Sequence, residues 1–490
     1  MKTLNCITLL IFLMMIFSQL VFSQDHHYWS QQFGSRSALM SGMVVGGVRD
    51  TSAGYYNPGA LGFINKPSLS VSANAYQLER LSIDNGIGTG TSLDSDKISI
   101  IPLLASGTMI LKAFPTHTFG YSLLAKNQSS IDTSGRIEKN QEVFSDIYHK
   151  DGTVSFQGEE KFIGQVFASS NVTELWGGMS WAHKVRPNIS IGTTAFMAFR
   201  NQTQNQTTMA RAVNDTTIAS ADKMDYIDFW NIRLLLKFGV AAEFDALKVG
   251  MTLTTPSRNL FGQATVAGEN SKNNAYDPTQ DKFYGNLISN RQENLDTTYR
   301  NPLSIALGLE YAVTPKTNIA GTIEWFAKQK QYDVITPGEH SFLRNIIVDE
   351  IIAFDAGSEE RELLEFKDGA ESVVNVGAAI EHEYAKNIKG YLGFRVDHES
   401  NPNNSENRSS LGITTWDIYH ITMGAMFKRK QSELAVGFTY SIGRPQNNFL
   451  QFANFGNIGN GSLSGETQYT SAEYNAFTLI VGYTYFFSKR

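Results

Sequence analysis

From Pro67 onward the chain alternates between apolar and polar residues with a period of two. In Ser68–Ala75, Leu69, Val71, Ala73 and Ala75 fall on one face, and Ser68, Ser70, Ser72 and Asn74 on the other. Between Asn301 and Pro315, Leu303, Ile305, Leu307, Leu309, Tyr311 and Val313 oppose Ser304, Ala306, Gly308, Glu310 and Ala312. Ile388, Leu392, Phe394 and Val396 oppose Lys389, Tyr391, Arg395 and Asp397, and Leu434, Val436, Phe438, Tyr440 and Ile442 oppose Glu433, Ala435, Gly437, Thr439 and Ser441. Successive side chains of a strand point to opposite faces, so each segment predicts a strand with one apolar and one polar face. The apolar faces run over about five or six alternate positions, close to the ~9–11 residues a tilted strand needs to cross a bilayer.

The connections alternate in length. Short ones fall at Phe114-Pro115-Thr116, Arg186-Pro187-Asn188, Asp245-Ala246, Thr314-Pro315-Lys316, Ala385-Lys386-Asn387 and Arg429-Lys430-Gln431. Long polar ones are expected near 80–96, 132–172, 205–226, 256–301, 335–371, 400–411 and 445–472. Tyr311, Trp325, Phe427 and Tyr440 lie toward the ends of apolar faces, as in an interfacial aromatic girdle. These features predict an all-β fold: a closed antiparallel transmembrane β-barrel of about 14 strands, formed by residues 67–490, with the last strand ending near Phe487. In that strand Gly482, Tyr485 and Phe487 resemble the Gly-x-x-aromatic-x-aromatic ending of bacterial barrel proteins. The resemblance implies recognition by the barrel assembly machinery and contact with outer-membrane lipid.

Composition agrees. Charged residues are 18% of the 490-residue chain, below the roughly 25% of soluble domains. The formal net charge of -6 argues against nucleic acid as a partner. The first residues carry Lys2, an apolar run Ile7–Phe17 interrupted by Thr8, and Val21-Phe22-Ser23 before a cleavage point. Residues 1–23 are therefore expected to be a signal peptide rather than a membrane anchor. Cys6, the single cysteine, lies within it, so the mature chain would carry no thiol chemistry.

Residues 24–66 precede the first strand and do not alternate. Gly42, Gly46, Gly47, Gly54, Gly59 and Gly62 permit irregular backbone. At membrane depth such backbone is tolerated only inside protein or a water-filled lumen, so the segment is expected to be a plug folded into the barrel. "GMVVGGVRD" lacks the Gly-Lys-Ser/Thr ending of a phosphate loop. The stretch from Ser35 to Gly62 resembles the N-terminal hatch of FadL/TodX-type outer-membrane transporters. The counterparts are Ala38 to Gly42, then Asp50, Asn57, Pro58, Gly59, Ala60, Leu61 and Gly62, with Asn-Pro-Gly in place of Asn-Pro-Ala and Ser41 where glycine is common. The resemblance implies a multi-pass protein of the bacterial cell outer membrane that carries hydrophobic small molecules, such as long-chain fatty acids or aromatic hydrocarbons, inward by plug-gated passive diffusion, and releases them sideways through the wall. Related barrels shuttle partners of protein secretion systems, which is the alternative function.

Asn57, Pro58 and Gly59 are the expected gate: the residue before proline is driven out of helix and Pro58 fixes its own φ. The predicted lumen face carries charges. A carboxylate ligand would need a cation such as Arg233, Lys237 or Arg395; equally, these charges could pair across strands or anchor the plug. The apolar loop Ser341–Phe366 is expected to hold one or two short helices. In it Phe342, Ile346 and Ile351 would either capture a greasy ligand or close the barrel mouth. The nine histidines show no metal-ligand spacing, and no spacing supports a Ser/His/Asp set or a carboxylate pair. No cofactor, no metal and no enzymatic activity are expected.

Overall fold

The computed structural model describes residues 27–487, apart from 112, 216, 278–280, 341, 349–350, 358–362, 401–415, 444–448 and 459–461. The expected signal peptide lies outside the described residues. The wall is built from β1 (Ser68–Ile83), β2 (Leu93–Ile110), β3 (His117–Gln141), β4 (Glu160–Arg186), β5 (Ile189–Val213), β6 (Ile218–Phe244), β7 (Leu247–Thr254), β8 (Ser304–Thr314), β9 (Thr317–Phe326), β10 (Val373–Ala385), β11 (Ile388–Asp397), β12 (Ile418–Lys428), β13 (Ser432–Gly443) and β14 (Ala472–Phe486). Each pairs antiparallel with the next, and β14 returns to β1 with Ser68 opposite Phe486 and Ile83 opposite Ala472. Closure joins the first strand to the last, so neither is left as a free edge of the wall.

The alternation sorts as expected. Leu307, Leu309, Tyr311, Leu434, Val436, Phe438 and Tyr440 are exposed on the outer face. Ser304, Ala306, Glu310, Ala435, Thr439 and Ser441 are buried on the inner one. The outer residues form an apolar belt, with Trp325, Phe427 and Tyr485 among its aromatics.

Strands β3 to β6 reach far past this belt, at 25, 27, 25 and 27 residues. Much of 132–172 and 205–226, expected as loop, is therefore strand: Asp132–Gln141 pairs with Glu160–Ser169, and Asn205–Val213 with Ile218–Tyr226. Above the belt both faces meet water, so the side chains turn polar while the backbone ladder continues. The expected loop 256–301 contains a hairpin, Arg258–Asp277 with Lys282–Asp296. Its first strand takes over the edge of β6 across Ser220–Leu234, where β7 has ended. Within the loop 341–366, where one or two short helices were expected, the two longest described segments are strands. Phe342–Val348 and Ile351–Gly357 form an antiparallel hairpin, in keeping with the β-branched run Ile346-Ile347-Val348 and Ile351-Ile352.

Two apolar clusters close the long-loop end. One packs Phe229, Val266, Tyr299, Tyr332, Phe342 and Phe366; the other packs Ile87, Leu93, Phe162, Trp416, Phe449 and Phe455.

Residues 27–64 lie inside the barrel. They hold α1 (Ser35–Leu39), α2 (Ala53–Tyr56) and a 3-10 turn (Pro58–Phe63), with Phe33, Leu39, Met40, Val48, Ala53 and Leu61 buried. From Ser35 to Pro58 this segment runs round the wall against inward-facing glycines. A Cβ on Gly482, Gly437, Gly393, Gly377, Gly308, Gly239 or Gly192 would come closer than 3.0 Å to Ser35, Leu39, Ser41, Met43, Gly46, Asn57 or Pro58 respectively. Those glycines belong in turn to β14, β13, β11, β10, β8, β6 and β5. The wall is thus notched, strand by strand, to admit the plug backbone.

Candidate functional site: plug, cationic chamber and wall seam

The plug is held by charge as well as shape. Glu310 and Glu381 fall on inward positions of β8 and β10. Arg36 donates to Glu310 Oε2 at 2.9 Å, to Glu381 Oε2 at 2.7 Å and to the Gly47 carbonyl at 2.9 Å. Lys248 and Lys389 hold the other oxygens at 2.5 and 2.6 Å. Asp50 accepts from the backbone N–H groups of Arg36 and Ser37, both at 3.0 Å, and so caps α1 from a distant part of the chain. Asn57 donates to the carbonyls of Val45 at 2.9 Å and Val240 at 3.0 Å, and its Oδ1 accepts Gly59 N–H at 3.0 Å. One side chain thus ties a plug crossing, strand β6 and the Pro58 turn together. Pro58 and Gly59 are buried in that turn.

Arg233 and Lys237 face inward on β6, as the alternation predicted. Beside them the structure places Lys126 of β3, Glu174 of β4 and Arg200 of β5. Glu174 accepts Arg200 at 3.0 Å, Arg233 at 2.5 Å and the Trp176 indole at 2.6 Å. The two guanidiniums lie 4.2 and 4.8 Å from the Tyr299 ring centre. Lower down, Lys237 sits 4.8 Å and Lys126 5.6 Å from the ring centre of Tyr55, with Trp176 and Phe196 at its edge. Lys126 donates to the Tyr28 carbonyl at 2.6 Å. Lys237 is buried and has no hydrogen bond or ion pair among the described residues. Among the described residues the carboxylates acting on Lys126, Arg200, Arg233 and Lys237 are Glu174, Glu324 and Asp397, so the four cations outnumber them.

The other sequence candidates lie elsewhere. Arg395 clamps the plug's first residues, donating to the carbonyls of Trp29 at 3.2 Å and Ser30 at 3.3 Å and to Ser41 Oγ at 3.0 Å. Phe342 is buried in the apolar cluster under the long-loop end. In the hairpin above it Ile346 pairs with Ala353 and Ile351 with Val348, and the side chains of Ile346 and Ile351 lie outside the described residues. Reading from sequence missed Arg36, Lys126, Glu174 and Arg200. The period-two rule applied to β4 and β5 would have turned Glu174 and Arg200 inward. Lys126 is the residue skipped where the β3–β4 register shifts, which breaks that rule.

The wall has a seam between β2 and β3. β2 pairs with β3 only over Leu104–Ile110 and Thr118–Leu124, although both strands continue beyond. Four irregularities meet at that height. Pro102 lacks an N–H for the ladder. Leu103 and Leu104 are both buried, which marks a bulge. The register also shifts between Ala125 and Asn127 on β3 and between Asn74 and Gln77 on β1. Side chains bridge the gap instead: Lys97 donates to Ser130, and Asp132 N–H to Ser95 Oγ at 3.3 Å. Ile98 and Ile100 stand outward there, 75% and 64% exposed. Behind the seam lies a cavity of about 100 Å³ lined by Gln31, Asn74, Gln77, Ser130, Arg395 and His420 among others.

A closed fourteen-stranded barrel with an apolar belt and a lumen filled by its own N-terminal segment is a plugged transmembrane β-barrel. No family model matches the sequence, and comparison with curated proteins finds no relative. Solved structures do match. A FadL homologue of Pseudomonas aeruginosa is 12% identical, with TM-score 0.57, covering 94% of this chain and 100% of that one. The toluene transporter TodX of Pseudomonas putida is 12% identical, with TM-score 0.54, covering 94% and 99%. The toluene transporter TbuX of Ralstonia pickettii is 12% identical, with TM-score 0.50, covering 93% and 99%. The fold is therefore that of the FadL/TodX-type outer-membrane channels.

Proposed function

We propose that the protein is a bacterial outer-membrane channel for hydrophobic compounds, in which the ligand passes from the lumen sideways into the membrane through the β2–β3 seam. The seam is the observation that carries this reading. Straight passage is obstructed by a plug seated in wall notches and fixed by Arg36. The seam offers a lateral way out at the edge of the apolar belt, where Ile98 and Ile100 present a greasy lip.

The cationic chamber favours a fatty acid or similar acidic amphiphile over a neutral hydrocarbon. A buried ammonium without a partner is costly, and a carboxylate beside Lys237 and Lys126 would supply the missing counter-charge. Tyr55, Trp176 and Phe196 would take the adjoining chain, gaining roughly 25 cal/mol per Å² buried. In this reading Arg233 is held by Glu174 and supports the chamber, while Arg395 positions the plug. Asn57, Pro58 and Gly59 form the stiff turn about which the plug yields. Fluorescent fatty-acid uptake by cells carrying the wild type, Pro58→Ala or a deletion of the gene tests this. Wild type should exceed the deletion strain, and Pro58→Ala should differ from wild type at equal protein abundance. Equal uptake in all three would move the role to a shuttle component of a secretion system.

A further inference from the structure

Outside the lumen, at the tip of the tall wall, three residues remote in sequence meet. In the short hairpin that pairs Ile147–Tyr148 with Val154–Ser155, His149 begins the turn and Ser155 ends the second strand. Asp281 stands at the turn of the hairpin inserted after β7. His149 Nδ1 is 2.7 Å from Asp281 Oδ1, and His149 Nε2 is 2.8 Å from Ser155 Oγ. The second oxygen of Asp281 accepts Lys150 N–H at 2.8 Å, which fixes the carboxylate against the ring. The side chains of His149 and Asp281 are each only 13% exposed.

Hydroxyl, imidazole and carboxylate stand in the order that nucleophilic catalysis by serine needs. With Nδ1–H donated to Asp281, Nε2 is left to accept the serine proton, and the carboxylate steadies the imidazolium that forms. Two backbone outliers sit on the same site. Phe156, directly after Ser155, has φ 53°, and Asp281 has φ 54°. Asp enters this left-handed region readily at a turn, but a bulky residue such as Phe156 does so at a cost of about 1–3 kcal/mol, strain of the kind that gathers at functional sites. Apolar surface adjoins the triad: Phe283 lies 5.7 Å from the His149 ring and 5.8 Å from Phe156, which packs on Phe144 at 4.6 Å.

We propose that Ser155, His149 and Asp281 form an accessory serine-hydrolase site on the outward end of the barrel, acting on carboxylic esters with an apolar acyl group. Ser155 Oγ attacks the ester carbonyl while His149 Nε2 takes its proton. The tetrahedral intermediate collapses, the alcohol leaves with that proton, and the acyl group remains on Ser155. Water then attacks the acyl-serine with His149 again as base, and the products are one carboxylic acid and one alcohol. Ester cleavage is the class of reaction that would supply an acid to the lysine chamber, but the site stands on its own geometry and is tested without uptake.

The test uses the purified full chain in detergent micelles, treated with a fluorophosphonate probe and assayed on p-nitrophenyl butyrate. Peptide mass spectrometry should find the adduct on Ser155 of the wild type. Ester turnover should fall at least about a hundredfold in Ser155→Ala, the scale of a lost acid–base partnership. Asp281→Asn keeps the shape of the contact but favours the wrong imidazole tautomer, and should lose turnover too, whereas a merely structural pin would tolerate it. Folding of each variant is checked by the heat-modifiable shift on gels. Absence of an adduct on Ser155 in the folded wild type, or equal turnover in all three proteins, would overturn the proposal.

Discussion

Strand β3 has two edges with different fates. Toward β4 it pairs from His117 to Gln141, interrupted once at Lys126. Toward β2 it pairs only from Thr118 to Leu124. The residues of β3 are the same in both ladders, so the composition of β3 cannot explain the difference. Much of the cause lies across the gap: Pro102, the Leu103–Leu104 bulge and the shift at Asn74–Gln77 turn β2 and β1 out of register with β3, whose own ladder to β4 resumes past its one interruption at Lys126. The opening is also bounded. Below it the ladder resumes at Leu104 and Leu124, and above it Leu93 and Ile87 close against Gly135. A barrel can thus carry a lateral window without losing closure, provided the bulges are confined to one height of adjacent strands.

Several experiments would break or sharpen this contrast. The largest effect is expected from Arg36→Ala. It strips a buried cation from Glu310 and Glu381, a loss of about 3–5 kcal/mol when one partner of a buried pair is removed. The plug should loosen and ion conductance in planar bilayers should rise. If the seam is the exit only because the lumen is blocked, it should matter less in this variant. Unchanged conductance would show that the glycine notches hold the plug alone.

Next comes Lys237→Met. It keeps the chain length but removes the unpartnered charge, and uptake of a fluorescent fatty acid should fall roughly tenfold, about 1.4 kcal/mol. A neutral aromatic should be unaffected. Equal loss for both would count against the acidic ligand.

Pro102→Val tests the seam from the β2 side. It restores an N–H to the ladder, worth about 1 kcal/mol if it finds a partner. Amides of β3 near Asn127–Ile131 should then exchange more slowly, and uptake should slow severalfold. No change in exchange would place the cause of the seam in the bulges rather than in the proline.

The smallest effect concerns pH. His398 Nδ1 lies 2.9 Å from Asp417 Oδ2 beyond the end of β11, with 34% and 37% of the side chains exposed. Burial works against the charge on His398, but the hydrogen bond and charge of Asp417 outweigh it and raise the imidazole above its usual 6.5. Burial likewise works against charge on Asp417, yet the bond to His398 holds its carboxyl below the usual 3.8. The imidazole's contribution is complete below pH 6.5 and lost as pH rises through the raised value. That of Asp417 is present above 3.8 and lost as pH falls through the lowered one. The pair therefore helps most between about pH 4 and 6.5, by no more than about 1 kcal/mol given its exposure. Thermal unfolding should show a gap between wild type and Asp417→Asn at pH 5.5 that narrows at pH 8.5.

The wall was legible in the sequence where one face meets lipid and the other the lumen, because burial on one side imposes the period of two. It ceased to be legible where β3 to β6 leave the belt. There both faces are wet, Asn, Gln, Thr and Ser fill them, and strand reads as loop. The hairpin at Phe342–Gly357 was mistaken for helix because its apolar residues crowd both faces, leaving β-branched content as the only hint. The plug was legible from glycine and from Asn57-Pro58. Its anchor Arg36 was not, since its partners Glu310 and Glu381 are hundreds of residues away. Of the seam, Pro102 inside a strand pattern was the one written sign. Ser155, His149 and Asp281 had none, because the fold alone brings Asp281 to the other two.

The central claim is that ligand leaves between β2 and β3, and cross-linking tests it most directly. Cys6 is the single cysteine and lies in the expected leader, so introduced pairs would be the only thiols in the mature chain. Lys97→Cys with Ser130→Cys spans the seam; Asp132→Cys with Ser169→Cys spans paired positions of β3 and β4. Bridging the first pair with a reducible dithiol cross-linker should lower fatty-acid uptake at least roughly tenfold, with recovery on reduction, while bridging the second leaves uptake unchanged. Undiminished uptake through a barrel whose seam is quantitatively cross-linked would contradict the account.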